Sequence, residues 1–333
     1  MTARGGIDLG GTKIQAVVVD ESSTVLAEAR HPTPTSGGPP DVARAMTDAM
    51  REATGSAALE TASLAGVGVG SPGDVDEASG VVSSARNLPG WEGSFPLAAA
   101  LEEALGARVA IGNDVQVATD AEFELGAGRP YRSLLGVFWG TGVGGGLVLD
   151  GKRWLGRGAA GEIGHMVVRQ GGARCPCGRR GCMEAYSGRK AMEERARELA
   201  AKGRRTDLFK IMEHRGRDRL TSGVWARALR HGDQLAEELL DRAVAALGTG
   251  IASAVNLLDV EAVIIGGGLG TRLGEPYVER IAAAMQPHLF VDDHPPAVLL
   301  AGLGDLGGAI GAALRVAEAG PPAAGRAAAS AAP

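Results

Sequence analysis

A strand, a glycine-rich turn and a second strand follow one another twice along this chain. The first copy runs Gly6-Ile7-Asp8-Leu9-Gly10-Gly11-Thr12-Lys13, then Ile14 to Asp20, with a further extended run from Thr24 to Ala29. The second is the apolar run Leu134 to Trp139, the glycine turn Gly140 to Gly146, Leu147 to Leu149, the hairpin turn Asp150-Gly151 and a third strand, Arg153 to Leu155. The copies share a pattern rather than residues. With helical patterns between them, they predict an α/β chain of two lobes of duplicated topology. Ligands in such folds sit at strand C-terminal ends, where both glycine turns fall, so an interlobe cleft is the expected site.

Composition narrows the function. The chain has 333 residues, 45% apolar and 22% charged, with a formal net charge of −5. That length suits two lobes better than one core. A pI near 5.8 argues against nucleic acid as a general partner. No apolar run reaches the ~20 residues that span a bilayer, so no membrane is expected. The first strand begins a few residues after Met1, which leaves no room for a secretory leader. Three cysteines cannot all pair within the chain, and a cytoplasmic location is the better fit. Glycine is 52 of 333 residues, clustered after apolar β-branched runs, which points to tight turns and close backbone approach to a ligand. The expected division is an N-terminal α/β lobe over 1–113 and a C-terminal lobe over 114–306. A closing helix over 307–319 and a disordered Pro/Ala tail over 320–333 follow. The segment 188–258 reads as mostly helical, Asp41 as the cap of a helix reaching Thr54, and Asn113-Asp114 as the start of another.

Several short motifs carry chemistry. Asp8-Leu9-Gly10-Gly11-Thr12-Lys13 sets a carboxylate at a strand end, then a turn whose backbone N–H groups can cradle phosphate, with Lys13 adding charge. The order Thr-Lys and the strand that follows exclude a Walker A loop, and a plain hairpin beside a buried Asp is an equal reading. Gly140-Thr141-Gly142-Val143-Gly144-Gly145 matches G-x-G-x-x-G but continues as a strand, so a second phosphate hairpin or a structural bulge fits better than a dinucleotide site. Asn113-Asp114 offers two cap-competent residues where one suffices. The commoner role is the N-cap, and the second carboxylate could take a proton from an attacking hydroxyl.

Cys175-x-Cys177-x4-Cys182 with His165 uses every cysteine and has the composition of a closed, structural tetrahedral zinc site; free thiols, or one strained disulfide and a leftover thiol, are the alternative. Glu162 and Glu184 flank it. Paired carboxylates and an imidazole suit a polyol, whose hydroxyls both donate and accept; a surface pair is the plainer reading. From Arg174 to Arg230 there are 16 Lys/Arg against 7 Asp/Glu, a solvated helical face first and a polyanion surface second.

Together these segments, with Gly161-Glu162-Ile163-Gly164-His165, Cys175 to Glu184 and Ile264-Ile265-Gly266-Gly267-Gly268, resemble the ROK family (repressors, open reading frames and sugar kinases), in order and spacing from about residue 6 to 315. The resemblance implies the actin-like ATPase (ribonuclease H-like) fold and ATP-dependent phosphorylation of a hexose at its 6-hydroxyl, glucose first. It implies Asp114 as catalytic base, with Asn87, Asn113, Glu162, His165 and Glu184 holding the sugar. Gly10, Gly11, Thr12, Lys13, Gly140, Thr141 and Gly142 would hold the phosphates of ATP, and Gly266, Gly267 and Gly268 would line the adenine side. Asp8 would place Mg²⁺ through water, and His165, Cys175, Cys177 and Cys182 would bind structural Zn²⁺. Kinases for N-acetylmannosamine, N-acetylglucosamine or fructose are the alternative, and polyphosphate an alternative donor. A sugar-responsive repressor is disfavoured, because only five residues precede the first strand. The expected assembly is a homodimer or homotetramer. One departure stands out: Val115-Gln116 follow Asp114 where many family members carry a small residue and then Asn.

Overall fold

The computed structural model describes residues 2–85 and 88–318. The chain divides into two compact units, one of residues up to Gly112 plus the chain from Ala312, the other Asn113–Gly311.

The first unit contains β1 (Arg4–Leu9), β2 (Lys13–Val19), β3 (Val25–Pro32), α1 (Pro39–Ser56), β4 (Val67–Ser71), β5 (Asp74–Asp76), β6 (Val81–Ser83), β7 (Ser94–Phe95), α2 (Leu97–Leu105) and β8 (Val109–Asn113). Its main sheet has the order β3-β2-β1-β4-β8, with β1 antiparallel to β2 and parallel to β4. Ile7, Leu9, Ile14 and Ala16 to Val19 are fully buried, the signature of strands covered on both faces. Helix α1 starts earlier than expected. Gly38 is its N-cap and Asp41 sits at the third helical position, its Oδ2 accepting the Gly38 N–H at 3.0 Å. Pro39 and Pro40 fill the first turn, where an N–H has no intrahelical partner anyway, so the cap moves ahead of them.

The second unit contains α3 (Asp114–Glu124), β9 (Leu134–Trp139), β10 (Val143–Leu149), β11 (Lys152–Arg153), α4 (Glu184–Ser187), α5 (Arg189–Ala201), α6 (Leu208–His214), α7 (Ser222–Arg230), α8 (Gln234–Leu258), β12 (Ala262–Gly266), α9 (Gly267–Leu273), α10 (Glu275–Met285), β13 (Ala297–Leu300) and the start of α11 (Gly307–Glu318). Its sheet order, β11-β10-β9-β12-β13, repeats that of the first unit: an antiparallel hairpin, a third strand outside it, and a parallel partner on the other side. The core gathers Trp139, Trp225, Leu240 and Ile251 around the long helix α8. There α10 crosses closely at Gly248, where a Cβ would lie 2.6 Å from Ala284.

Further expectations change. The glycine turn is only Gly140 to Gly142, because Gly144 to Gly146 lie inside β10 and pair with β9. The third strand is Lys152–Arg153, since Trp154 turns out into solvent. The unit boundary falls between Gly112 and Asn113, and α11 is shared rather than separate: its first turn belongs to the second unit and the rest to the first. There Arg315 pairs with Glu77 at 2.6 Å. Asn87 and the tail over 320–333 lie outside the described residues.

Candidate active site

Strand β10 organises the second unit because it lacks side chains at three successive positions. A Cβ on Gly144 would lie 2.6 Å from Val115 Cγ2, and one on Gly145 would lie 2.6 Å from the Gly161 carbonyl and 2.7 Å from Ile163. One on Gly146 would strike Thr119. The glycines therefore let helix α3 lie against one face while the segment Gly161–His165 lies against the other, since alternate residues of a strand point to opposite faces. At the start of the strand, Glu184 Oε2 accepts the Val143 N–H at 2.9 Å and occupies the space a Cβ on Gly142 would take. One strand thus gathers the helix that begins at Asp114, the segment bearing Glu162 and His165, and Glu184. Gly145→Ala is expected to cost about 1–3 kcal/mol, because its new methyl meets backbone that cannot swing away. It should also impair activity if this constellation is the site. Thermal melts beside steady-state kinetics check this, and an equally stable variant would show that the Gly161–Ile163 segment gives way freely.

Asn113 takes the capping role in α3: its Oδ1 accepts the N–H groups of Val115 and Gln116 at 3.1 and 3.2 Å. Asp114 is the first helical residue, and its Oδ1 accepts the Val115 N–H at 2.9 Å. The departure at 115–116 is accommodated. Val115 fills the space over Gly144, and buried Gln116 pairs with Leu147 in both directions, N–H to Oε1 at 3.1 Å and Nε2 to carbonyl at 3.3 Å.

His165 and the three cysteines converge, with one donor atom of each within 4.8 Å of the others. His165 Nδ1 lies 3.7 Å from Cys175 Sγ, and Cys177 Sγ 3.7 Å from Cys182 Sγ. A tetrahedron with Zn–S bonds of about 2.3 Å has S···S edges of about 3.8 Å, so the donor set and its spacing fit zinc. Gly178 and Gly181 make the turns between the cysteines with φ of 89° and 85°. Burial pushes the Cys175 thiol up to about 12. Burial also works against the Cys177 thiolate, but the Arg179 backbone N–H and the neighbouring thiols bring it to about 7. With Nδ1 turned to the cysteines, His165 Nε2 points the other way, 3.7 Å from Glu162 Oε2. Glu184 Oε1 lies 4.0 Å from Cys175 Sγ. The donor cluster and the two carboxylates form one constellation.

The two glycine turns are built differently. In the first unit, Gly10 N–H bonds to Lys13 O at 2.9 Å, and Thr33 Oγ1 donates to Gly10 O at 2.6 Å. Gly10 has no positive φ, and a Cβ on it would lie 3.1 Å from Lys13 O, so glycine serves close approach there rather than an unusual backbone. Gln15 lies directly opposite Asp8 across the β1–β2 ladder, and its buried Oε1 has no hydrogen-bond partner among the described residues. An orphaned acceptor beside a carboxylate fits a hydrated Mg²⁺, whose waters only donate. In the second unit, Thr141 O accepts the Lys190 N–H at 3.0 Å and Gly140 O the Arg189 N–H at 3.1 Å. Arg189 Nη2 donates to Thr141 Oγ1 and Nη1 to Ser222 Oγ, each at 2.9 Å. Sequence reasoning passed over Arg189 and Ser222, because Arg189 was one of 16 basic residues with no local motif of its own. Gly267, at φ 78°, brings the start of α9 against the Trp139 backbone, and a Cβ on Gly140 would lie 3.8 Å from Gly268 N. So Gly266 to Gly268 adjoin the second turn.

Among known proteins, the chain is 33% identical to the glucokinase of Thermotoga maritima over 287 residues, 85% of this chain and 88% of that one. Two crystal structures superpose over nearly all of it. The ROK hexokinase of Thermus thermophilus does so with a TM-score of 0.73 at 35% identity, covering 94% of this chain and 97% of the other. The ROK family glucokinase of Streptomyces griseus, in complex with glucose and AMPPNP, does so with a TM-score of 0.76 at 30% identity, covering 93% and 98%. The duplicated sheets are those of the actin-like ATPase fold. The ROK family model matches residues 4–319, and the chain belongs to the ROK family.

Proposed function

We propose that this chain is a glucokinase, transferring the γ-phosphoryl group of ATP to the 6-hydroxyl of glucose. The observation that carries this reading is the convergence on β10 of the first turn of α3, the Glu162–His165 segment and Glu184, in a chain similar over most of its length to glucokinases. Glu162, Glu184 and the outward Nε2 of His165 read the sugar hydroxyls, with Asn113 and Asn87 as further contacts. Asn113 meets the capping demand of α3, and Asp114 takes the proton of the 6-hydroxyl as that oxygen attacks phosphorus. The transition state is loose, so the chain's main tasks are alignment and support of phosphate charge by the N–H groups of Gly10 to Thr12 and Gly140 to Gly142, with Lys13. Gly266 to Gly268 line the adenine side. Mg²⁺, held through water near Asp8 and Gln15, supplies charge neutralisation of the phosphates when bound.

His165, Cys175, Cys177 and Cys182 would hold zinc as a structural ion, since four protein donors would complete its coordination. With Nδ1 turned to that cluster, His165 would carry its proton on Nε2, the donor a sugar oxygen needs. Three thiols kept as a set suit a reducing, cytoplasmic setting. Among the described residues no helix is long and apolar enough to cross a membrane.

A kinetic panel tests the reading, with glucose, mannose, fructose, N-acetylglucosamine and N-acetylmannosamine each paired with ATP and with polyphosphate. The highest kcat/KM is expected for glucose with ATP. A clear preference for an acetamido sugar would reassign the substrate, and preference for polyphosphate would reassign the donor.

A further inference from the structure

Arg189 opens α5 in surroundings that its burial makes costly. Two of its five N–H donors go to hydroxyls, Thr141 Oγ1 and Ser222 Oγ. Among the described residues, no carboxylate lies within ion-pair distance of it. Glu193, whose charge reaches it, is already engaged by Arg197 at 2.6 Å and by the Leu220 N–H at 2.8 Å. Burial lowers the Arg189 pKa and the nearby Arg219 adds a like charge. A guanidinium stays charged in any protein environment, and a partly buried charge is costly unless it meets a counter-charge. Hydroxyls supply dipoles but no counter-charge, so the chain holds this cation ready for an anion from outside.

The position says which anion. The backbone of Arg189 and Lys190 is bonded to the carbonyls of Gly140 and Thr141, so the guanidinium is fixed to the turn whose N–H groups face phosphate in the proposed reaction. A Cβ on Gly268 would lie 3.8 Å from Ser222 Oγ, which puts the start of α9 at the same place. We propose that Arg189 is a binding residue for the nucleotide, its remaining N–H donors engaging the phosphate chain of a nucleoside di- or triphosphate at the Gly140–Gly142 turn. The assignment rests on the kinase reading and deepens it. A planar fork suits phosphate oxygens, and a pre-anchored one loses little freedom on binding.

The test separates phosphate recognition from a clamp that merely ties Thr141 to Ser222. Calorimetry would measure the affinities of adenosine, AMP, ADP and AMPPNP, with Mg²⁺, for the wild-type chain, Arg189→Gln and Arg189→Lys. In the wild type, affinity should climb as phosphates are added. Arg189→Gln should keep adenosine and glucose affinity within about twofold and lose tenfold or more for ADP and AMPPNP; Arg189→Lys should recover part of that loss. If Arg189→Gln climbs the series with wild-type increments, or loses adenosine and glucose in equal measure, Arg189 is only a clamp. Should the glutamine variant fail to fold, the lysine variant decides alone: a loss confined to the phosphorylated ligands supports the assignment, and an even loss or none overturns it. Wild-type turnover of glucose with ATP is measured alongside. Its absence would remove the kinase reading itself, whereas intact turnover with an unaltered phosphate series removes only this assignment.

Discussion

Asp114→Asn should lower kcat by roughly 10²–10⁴-fold, the usual range for a lost general base, while glucose affinity and zinc content stay near normal. The amide has the shape of the carboxylate, and its oxygen can still accept the Val115 N–H now bonded to Oδ1. Helix capping does not depend on this residue, because Asn113 Oδ1 already takes the Val115 and Gln116 N–H groups. The melting temperature should therefore move little. What the amide cannot do is accept a proton as the sugar oxygen attacks. Steady-state kinetics with saturating glucose and ATP, beside glucose calorimetry, separate the roles. Turnover within a few-fold of wild type would reduce Asp114 to a helix-start residue.

The second large effect concerns the cysteine cluster. The purified chain should carry one zinc, and Cys177→Ser should lose it and weaken glucose binding by about 10–100-fold. Without the metal, His165 loses its fixed tautomer, and Glu184, 4.0 Å from Cys175 Sγ, loses the rigid neighbour beside it. The equivalent of one hydrogen bond to a charged group is then lost, worth about 1.5–3 kcal/mol. With glucose saturating, kcat should fall far less, since four protein donors would leave a bound metal no open position for the phosphoryl step. Because burial pushes Cys175 up to about 12 and raises Cys182, zinc binding must displace protons. Affinity for the metal should therefore drop as pH falls. Elemental analysis beside calorimetry reads both quantities. Metal-free wild-type chain with normal glucose affinity would break the link between zinc and sugar.

Motifs that lie in a contiguous stretch were legible in the sequence, as far as their placement goes. Cys175, Cys177 and Cys182 announce themselves by spacing, and Asn113-Asp114 by position at a strand end. The paired hairpins were readable because buried strands such as Ile14 to Val19 have to be apolar along their whole length. The glycine run at 140–146 was misread as one turn, since a glycine needed for a bend and one needed for close packing are the same letter. Only the neighbours of Gly144 to Gly146, namely Val115, Thr119 and Ile163, distinguish them. Arg189 was hidden for a related reason: its partners Thr141 and Ser222 lie 48 and 33 residues away, and no local pattern marks such a triangle.

The sharing of α11 between the two units bears on how the chain is made. The first unit needs residues from Ala312 onward, yet the rest of it ends at Gly112, roughly 200 residues earlier. Gly66 and Gly68, next to and within β4, are shaped to receive Val316 and the Ala312 backbone. On a ribosome adding about 5–20 residues per second, the amino-terminal half would wait on the order of ten to forty seconds for the helix that completes it. During that interval the side of β4 at Gly66 and Gly68 lacks the helix that packs on it, while α1 and α2 already cover the other core. The second unit, contiguous from Asn113 to Gly311, can close on itself first. This protein is therefore expected to mature in the reverse of its synthetic order, with the nascent amino-terminal sheet as the segment most in need of a chaperone.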